Sequence, residues 1–93
     1  MESQTFEHVF DALADTLAEA ANLKARSELM AAICAQIDSW DVPQQAAARR
    51  LGVTRACLND LLRGKLAKFS LDALVHLATA AGLALEMRIA QEA

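Results

Sequence analysis

The residues that break helices are few in this chain, and their positions divide it into helical segments. The 93 residues include one proline and three glycines, at Pro43, Gly52, Gly64 and Gly82. Alanine and leucine dominate and tyrosine is absent, a composition that favours helices over strands and turns. A chain of this length forms one small domain with a marginal core, so self-association is expected from size alone.

The first part of the chain has the apolar periodicity of helices. Four apolar residues predict a short helix over residues 6–14. Their spacing puts them on one helical face: Phe6, Val9, Phe10 and Leu13. Thr16 followed by Glu19 fits a capping box, which would begin a second helix that runs to about Ser39. One continuous helix from about residue 5 is the alternative, and the pattern leaves both open.

The second helix has one apolar face. It is defined by Leu23, Met30, Ile33, Ile37 and Trp40, with Leu29 beside it. A break follows at residues 38–43, because the residue before a proline disfavours the helical conformation and Pro43 suits the first turn of a new helix.

Two short helices are predicted after this break, at residues 43–50 and 55–63. Gly52 can take the positive φ of a helix end, and Thr54 can cap the next helix. Ala48 is small where the two helices would cross, and five apolar residues fall at inward positions. These five are Ala47, Leu51, Val53, Leu58 and Leu61. The spacing is that of a helix-turn-helix unit.

The last part of the chain changes its period. Ser70 caps a predicted helix over residues 71–81, with a core face at Leu71, Leu74, Val75, Leu77 and Ala78. After Gly82, apolar residues alternate with others over seven positions, which predicts a strand. A single strand in a helical chain needs a partner, so its apolar residues predict antiparallel pairing across a homodimer. They are Leu83, Leu85, Met87 and Ile89.

Charge is segregated along the chain, whose formal net charge is -3. Residues 1–41 hold eight acidic and two basic side chains, whereas residues 42–68 hold six basic side chains and the single acid Asp60. Such a basic block suits a polyanion, and the acidic segment suits a basic partner; a solvated surface is the alternative for both.

The outward positions of the helix at 55–63 carry side chains that read DNA. Arg55 and Asn59 are of the types that recognise guanine and adenine edges in the major groove. Gln44, at the N-terminus of the preceding helix, would face a phosphate, as would three basic residues further along. These three are Arg63, Lys65 and Lys68.

Residues 44–65 resemble the DNA-binding unit of the XRE, or lambda-repressor-like, regulators. The run Leu62-Arg63-Gly64-Lys65, followed by Phe69-Ser70-Leu71-Asp72, is similar to that of the HigA-type antitoxins. The resemblance implies an all-α, five-helix lambda-repressor-like domain, here with one C-terminal β-strand pairing across a homodimer. It also implies binding to an inverted repeat of double-stranded DNA and, in many members, a HigB- or RelE-type ribonuclease toxin as partner.

Carried over by position, the resemblance assigns six DNA-facing residues. They are Gln44, Thr54, Arg55, Ala56, Cys57 and Asn59. Pro43 replaces the usual Thr or Ser, so one hydroxyl contact to phosphate is lost, and Cys57 replaces a polar or basic residue.

The sequence predicts three parts: an acidic helical segment at 1–21, the DNA-binding domain at 22–82, and the dimerisation strand and tail at 83–93. No catalytic, metal or cofactor motif is present, no segment could cross a membrane, and two cysteines indicate a reducing, cytoplasmic setting. A regulator of transcription is therefore expected. The alternative is an interaction module that mainly inhibits a basic toxin and binds DNA weakly.

Overall fold

The computed structural model describes the backbone of residues 2–91 and the side-chain surroundings of residues 15–91. Within the described residues the chain forms four α-helices and one short 3-10 helix. The elements are α1 (Glu2–Ser39), α2 (Gln44–Leu51), α3 (Arg55–Leu62), the 3-10 helix η1 (Leu66–Lys68) and α4 (Leu71–Ala80). The helix boundaries predicted around Pro43, Gly52 and Gly64 are confirmed to within one or two residues.

The N-terminal half is one helix, so the prediction of five helices is wrong. α1 continues through Thr16 without interruption for 38 residues. No glycine or proline lies between Glu2 and Ser39, and the many alanines favour propagation of a helix once it has begun. A capping box therefore did not outweigh the helical preference on both sides of it.

The predicted C-terminal strand is also wrong, because residues 83–91 form no regular secondary structure. Leu83 is half-buried against the core, and its amide donates to the carbonyl of Ala78 at 2.9 Å. After Leu83 the backbone forms no strand ladder, because the described part of the chain contains no strand with which it could pair. Alternating apolar residues are compatible with a strand but do not provide its partner.

The core lies where the C-terminal half of α1 meets the other helices. α1 packs against α3, η1 and α4, and α2 packs against α3 and α4. Four side chains with under 2 % of their surface exposed form its centre: Ile33, Leu58, Leu61 and Leu74. The predicted inward residues of the helix-turn-helix unit are buried, apart from Val53, which is half-buried.

The segment of α1 at residues 15–24 extends beyond this core. Every residue of the segment is exposed, including Leu17 and Leu23, although the sequence placed Leu23 on the apolar face of this helix. Thirty-eight helical residues rise about 57 Å, and the longest dimension of the structure is 60 Å. No helix in the described part of the chain is long and apolar enough to span a membrane.

Candidate nucleic-acid interface

The turn between α2 and α3 fixes the relative position of the two helices. Gly52 ends α2 with φ +73°, the left-handed conformation that glycine adopts without strain. Its amide donates to Arg49 at 3.1 Å, and the Val53 amide donates to Ala48 at 3.0 Å, so both helix-end carbonyls are satisfied. Ala48 is only 3 % exposed, as expected for the small residue where the helices cross.

Thr54 begins α3 as its N-cap. Its Oγ1 accepts a hydrogen bond from the Cys57 amide at 3.1 Å, which confirms the predicted cap. The hydroxyl therefore has a structural role, because its oxygen accepts from a backbone amide that has no partner within the helix.

One face of α3 is buried and the other is open. Leu58 and Leu61 are fully buried, which fixes the rotation of the helix about its axis. Three predicted DNA-facing residues lie on the exposed side: Arg55, Ala56 and Asn59. Cys57 lies between the two faces, half-buried and packed against the core, so less of its side chain is available to a partner.

The end of α3 and the following turn carry three exposed basic residues. Arg63 is the C-cap of α3, Lys65 precedes η1, and Lys68 is its last residue. We call residues 63–70, which connect α3 to α4, the basic loop. Gln44 lies exposed at the start of α2, while its N-cap, Pro43, makes no side-chain capping bond.

Both lysines of the basic loop pair with one carboxylate, that of Asp60, to which the sequence motifs assign no role. Lys65 Nζ lies 3.2 Å from Asp60 Oδ1, and Lys68 Nζ lies 3.3 Å from Asp60 Oδ2. The hydrogen bond from Lys65, and then the bond and charge of Lys68, lower the pKa of Asp60 below its ordinary value. The spacing i, i+5, i+8 across a glycine is not a helical pattern, so this cluster could not be predicted from the sequence.

A second unpredicted contact comes from the acidic part of the chain. Arg26 of α1 donates through Nη1 to the carbonyl of Leu66 at 3.0 Å and to that of Phe69 at 3.4 Å. Both acceptors belong to the basic loop, some 40 residues away. Main-chain carbonyls carry no residue-type signal, so no sequence pattern predicts this bond.

Cys34 of α1 is a structural residue. Its thiol is half-buried against the core and donates to the carbonyl of Leu61 at 3.4 Å. Burial raises the pKa of Cys34, because the thiolate would lose its hydration. Within the part of the chain that the structure describes, no group of three or more acidic, histidine or cysteine side chains could hold a metal ion.

Comparison with known proteins agrees with this geometry. The family model described as a helix-turn-helix domain matches residues 12–90. A solved structure named as an XRE family transcriptional regulator is 31% identical, with a TM-score of 0.72 over 80% of this chain and 83% of that one. No curated protein gives a significant sequence match. The chain therefore belongs to the helix-turn-helix family, among the XRE transcriptional regulators, a DNA-binding and non-enzymatic class of protein.

Proposed function

We propose that this protein is a homodimeric autorepressor, similar to the HigA-type antitoxins, that binds an inverted repeat in its own promoter. The observation that carries the proposal is the exposed face of α3, with Arg55 and Asn59 on a helix whose opposite face is fully buried. A rigidly held helix with such a face fits the major groove of B-form DNA. The role requires access to DNA, and we assign the protein to the cytoplasm.

Base recognition is assigned to the N-terminal half of α3. Arg55 would donate to a guanine edge and Asn59 to an adenine edge, while Ala56 allows close approach to a thymine methyl. Cys57 and the Thr54 hydroxyl lie at the margin of this surface.

Phosphate binding is assigned to groups on both sides of α3. Gln44 would donate from the N-terminus of α2, where the helix dipole favours an anion. Arg63, Lys65 and Lys68 would follow the backbone beyond the other end of α3. These contacts supply affinity and register, whereas α3 supplies base choice.

A homodimer would place two copies of α3 about 34 Å apart, one turn of DNA. The residues proposed for this contact lie in the tail at 83–91. Leu83 anchors the tail to the core, while Leu85, Met87 and Ile89 are 49%, 75% and 86% exposed. An apolar groove between α1 and α4 borders these side chains. A second copy whose tail packs against this groove would cover both surfaces.

The antitoxin role is assigned to the projecting part of α1. Five of the eight acids in residues 1–41 fall within residues 1–19. Every residue of the described segment 15–24 is exposed, including Asp15 and Glu19. An exposed acidic helix suits a basic ribonuclease of the HigB or RelE type. The alternative function is a module that mainly inhibits such a toxin, with weak DNA binding.

A gel-shift titration on the upstream DNA of the gene, against scrambled DNA at two salt concentrations, tests the regulator proposal. Selective binding to the upstream DNA is expected. Equal, weak binding to both DNAs that disappears at moderate salt would reduce the basic residues to nonspecific attraction and favour the alternative.

Deletion of residues 1–21 tests the toxin-binding assignment. We expect the shortened protein to bind DNA as before and to lose affinity for a toxin encoded beside it. Unchanged toxin affinity would remove the acidic part of α1 from that role.

A further inference from the structure

The basic loop has little secondary structure of its own to hold it. Between Arg63 and Ser70 the regular structure is limited to the three residues of η1. Within the loop, the Lys68 amide donates a hydrogen bond to the carbonyl of Lys65 at 3.0 Å, and the Phe69 amide donates to that of Leu66 at 3.1 Å. Phe69 is 6% exposed and anchors one end, but Lys65 and Lys68 lie on the exposed side.

Arg26 connects this loop to α1. Its Nη1 donates to Leu66 and Phe69, the two carbonyls that lie on either side of Lys68. A planar guanidinium holds its donors in a fixed arrangement, so two acceptors on one nitrogen constrain the loop more than one would. The carbonyl of Leu66 also accepts from the Phe69 amide, so this bond and the Arg26 bond converge on one oxygen.

Arg26 is itself oriented by α1. Its Nε donates to Asn22 Oδ1 at 2.6 Å, one helical turn earlier. Asn22 lies on the exposed segment of α1, and Arg26 is half-buried where that segment joins the core. A chain of hydrogen bonds thus runs from the projecting part of α1 to the backbone that carries Lys65 and Lys68.

We propose that Arg26 is a positioning residue for DNA binding, which fixes the basic loop so that Lys65 and Lys68 meet the phosphates in a defined register. The inference rests on the proposed phosphate contacts of these two lysines. Arg26 itself lies on α1 and acts through the Leu66 and Phe69 carbonyls. A loop released from α1 would lose phosphate contacts before it lost base contacts, because α3 is held separately by Leu58 and Leu61.

The test compares Arg26→Ala with Lys24→Ala in the full-length protein on the upstream DNA. Both changes remove one positive charge from α1, but Lys24 is exposed and lies outside the hydrogen-bond chain. We expect Arg26→Ala to weaken binding about three- to tenfold and to reduce the slope of log affinity against log salt by about 1, as loss of one phosphate contact does. Lys24→Ala should leave the affinity and the salt slope unchanged. Equal effects of the two substitutions would mean that Arg26 contributes only its positive charge.

A double-mutant cycle separates positioning from loss of stability. Arg26→Ala should have little further effect on DNA affinity in a Lys65→Ala, Lys68→Ala background, because the contacts it positions are already absent. Additive losses would overturn the inference. If the lysine double variant alone binds DNA normally, the proposed phosphate contacts fail, and the inference fails with them.

Two milder variants cover the case in which Arg26→Ala unfolds. Asn22→Ala removes an exposed side chain and leaves the guanidinium in place, so it should reduce the salt slope less than Arg26→Ala does. Arg26→Lys keeps the charge but not the planar donors, and it should restore only part of the affinity. Full affinity in both variants would contradict the proposal.

Discussion

The guanidinium carbon of Arg50 lies 4.1 Å from the centroid of the Trp40 ring. Trp40 is half-buried at the end of α1, and Arg50 is exposed in the last turn of α2. The stack therefore joins the two helices on either side of the break that contains Pro43. It gives Arg50 a structural role.

Replacement of Arg50 by alanine should lower the free energy of unfolding by about 0.5–1 kcal/mol, the usual contribution of a cation–π contact at an exposed site. Arg49→Ala is the matched control, since Arg49 is exposed in the same turn and is not stacked on the ring. Urea unfolding followed by the emission of Trp40, the only tryptophan, measures both. Equal destabilisation by the two variants would show that the stack contributes nothing.

Asp60→Asn should strengthen binding to every DNA sequence. The carboxylate lies 3.2–3.3 Å from both lysine ammonium groups, so it competes with phosphates for the same charges. Its removal is expected to steepen the slope of log affinity against log salt by up to about 1. Gel shifts on specific and scrambled DNA measure this, and weaker binding would mean that Asp60 mainly holds the lysines in place for DNA.

The same carboxylate predicts a pH dependence of stability. Because the pKa of Asp60 is lower in the folded protein than in the unfolded chain, its ion pairs stabilise the fold above its ordinary pKa, near 3.8. That stabilisation is lost as the pH falls through the lower, folded pKa. Urea unfolding at pH 7 and pH 3 should therefore show a difference between the native protein and Asp60→Asn that is larger at pH 7.

Arg55→Ala should relax base choice as well as weaken binding. Loss of a bidentate contact to guanine costs about 1–3 kcal/mol on the specific site. Binding to scrambled DNA should fall much less, so the ratio of the two affinities is the quantity to measure. An unchanged ratio would remove Arg55 from base recognition.

Cys34 should resist alkylation in the folded protein. Burial raises its pKa above the ordinary 9.0, so little thiolate is present near neutral pH. Iodoacetamide labelling of a Cys57→Ser variant, followed by mass spectrometry with and without urea, isolates this thiol. Equal labelling rates in the two conditions would contradict the partial burial of Cys34. The free energy of unfolding should also fall as the pH rises above 9, because the Cys34 thiol then ionises more readily in the unfolded chain than in the folded protein.

The helix ends could be predicted from the sequence, because they depend on residues that are close together in the chain. Gly52, Thr54 and Ser70 define helix ends through their own backbone conformation or a bond three residues away, and each was predicted correctly. At Thr16 the sequence left open whether one helix or two form, and the structure shows one continuous helix. A capping box competes with helix propagation on both sides of it.

Contacts between distant residues were beyond those patterns. Arg26 reaches main-chain carbonyls some 40 residues away, and Asp60 gathers its lysines across a turn whose shape depends on Gly64 and η1. The prediction of a C-terminal strand was wrong for a related reason. An alternation of apolar residues concerns the side chains alone, whereas a strand also requires a neighbouring strand for its backbone hydrogen bonds. The residues proposed for the interface could thus be chosen from the sequence, but the bonds that orient them could not.

The exposed apolar side chains of the tail lead to a last prediction. Met87 and Ile89 are 75% and 86% exposed, so their replacement by serine should alter the stability of a single copy by less than about 0.5 kcal/mol. If the tail forms the dimer contact, the double serine variant should be monomeric and should bind an inverted repeat no better than a half-site. Light scattering after size-exclusion chromatography and a gel shift measure the two effects. Leu17→Ser, which removes an apolar side chain 62% exposed on α1, is the control. A dimer that survives in the tail variant and is lost in Leu17→Ser would place the contact on α1, because only one of the two surfaces would then be buried in the assembly.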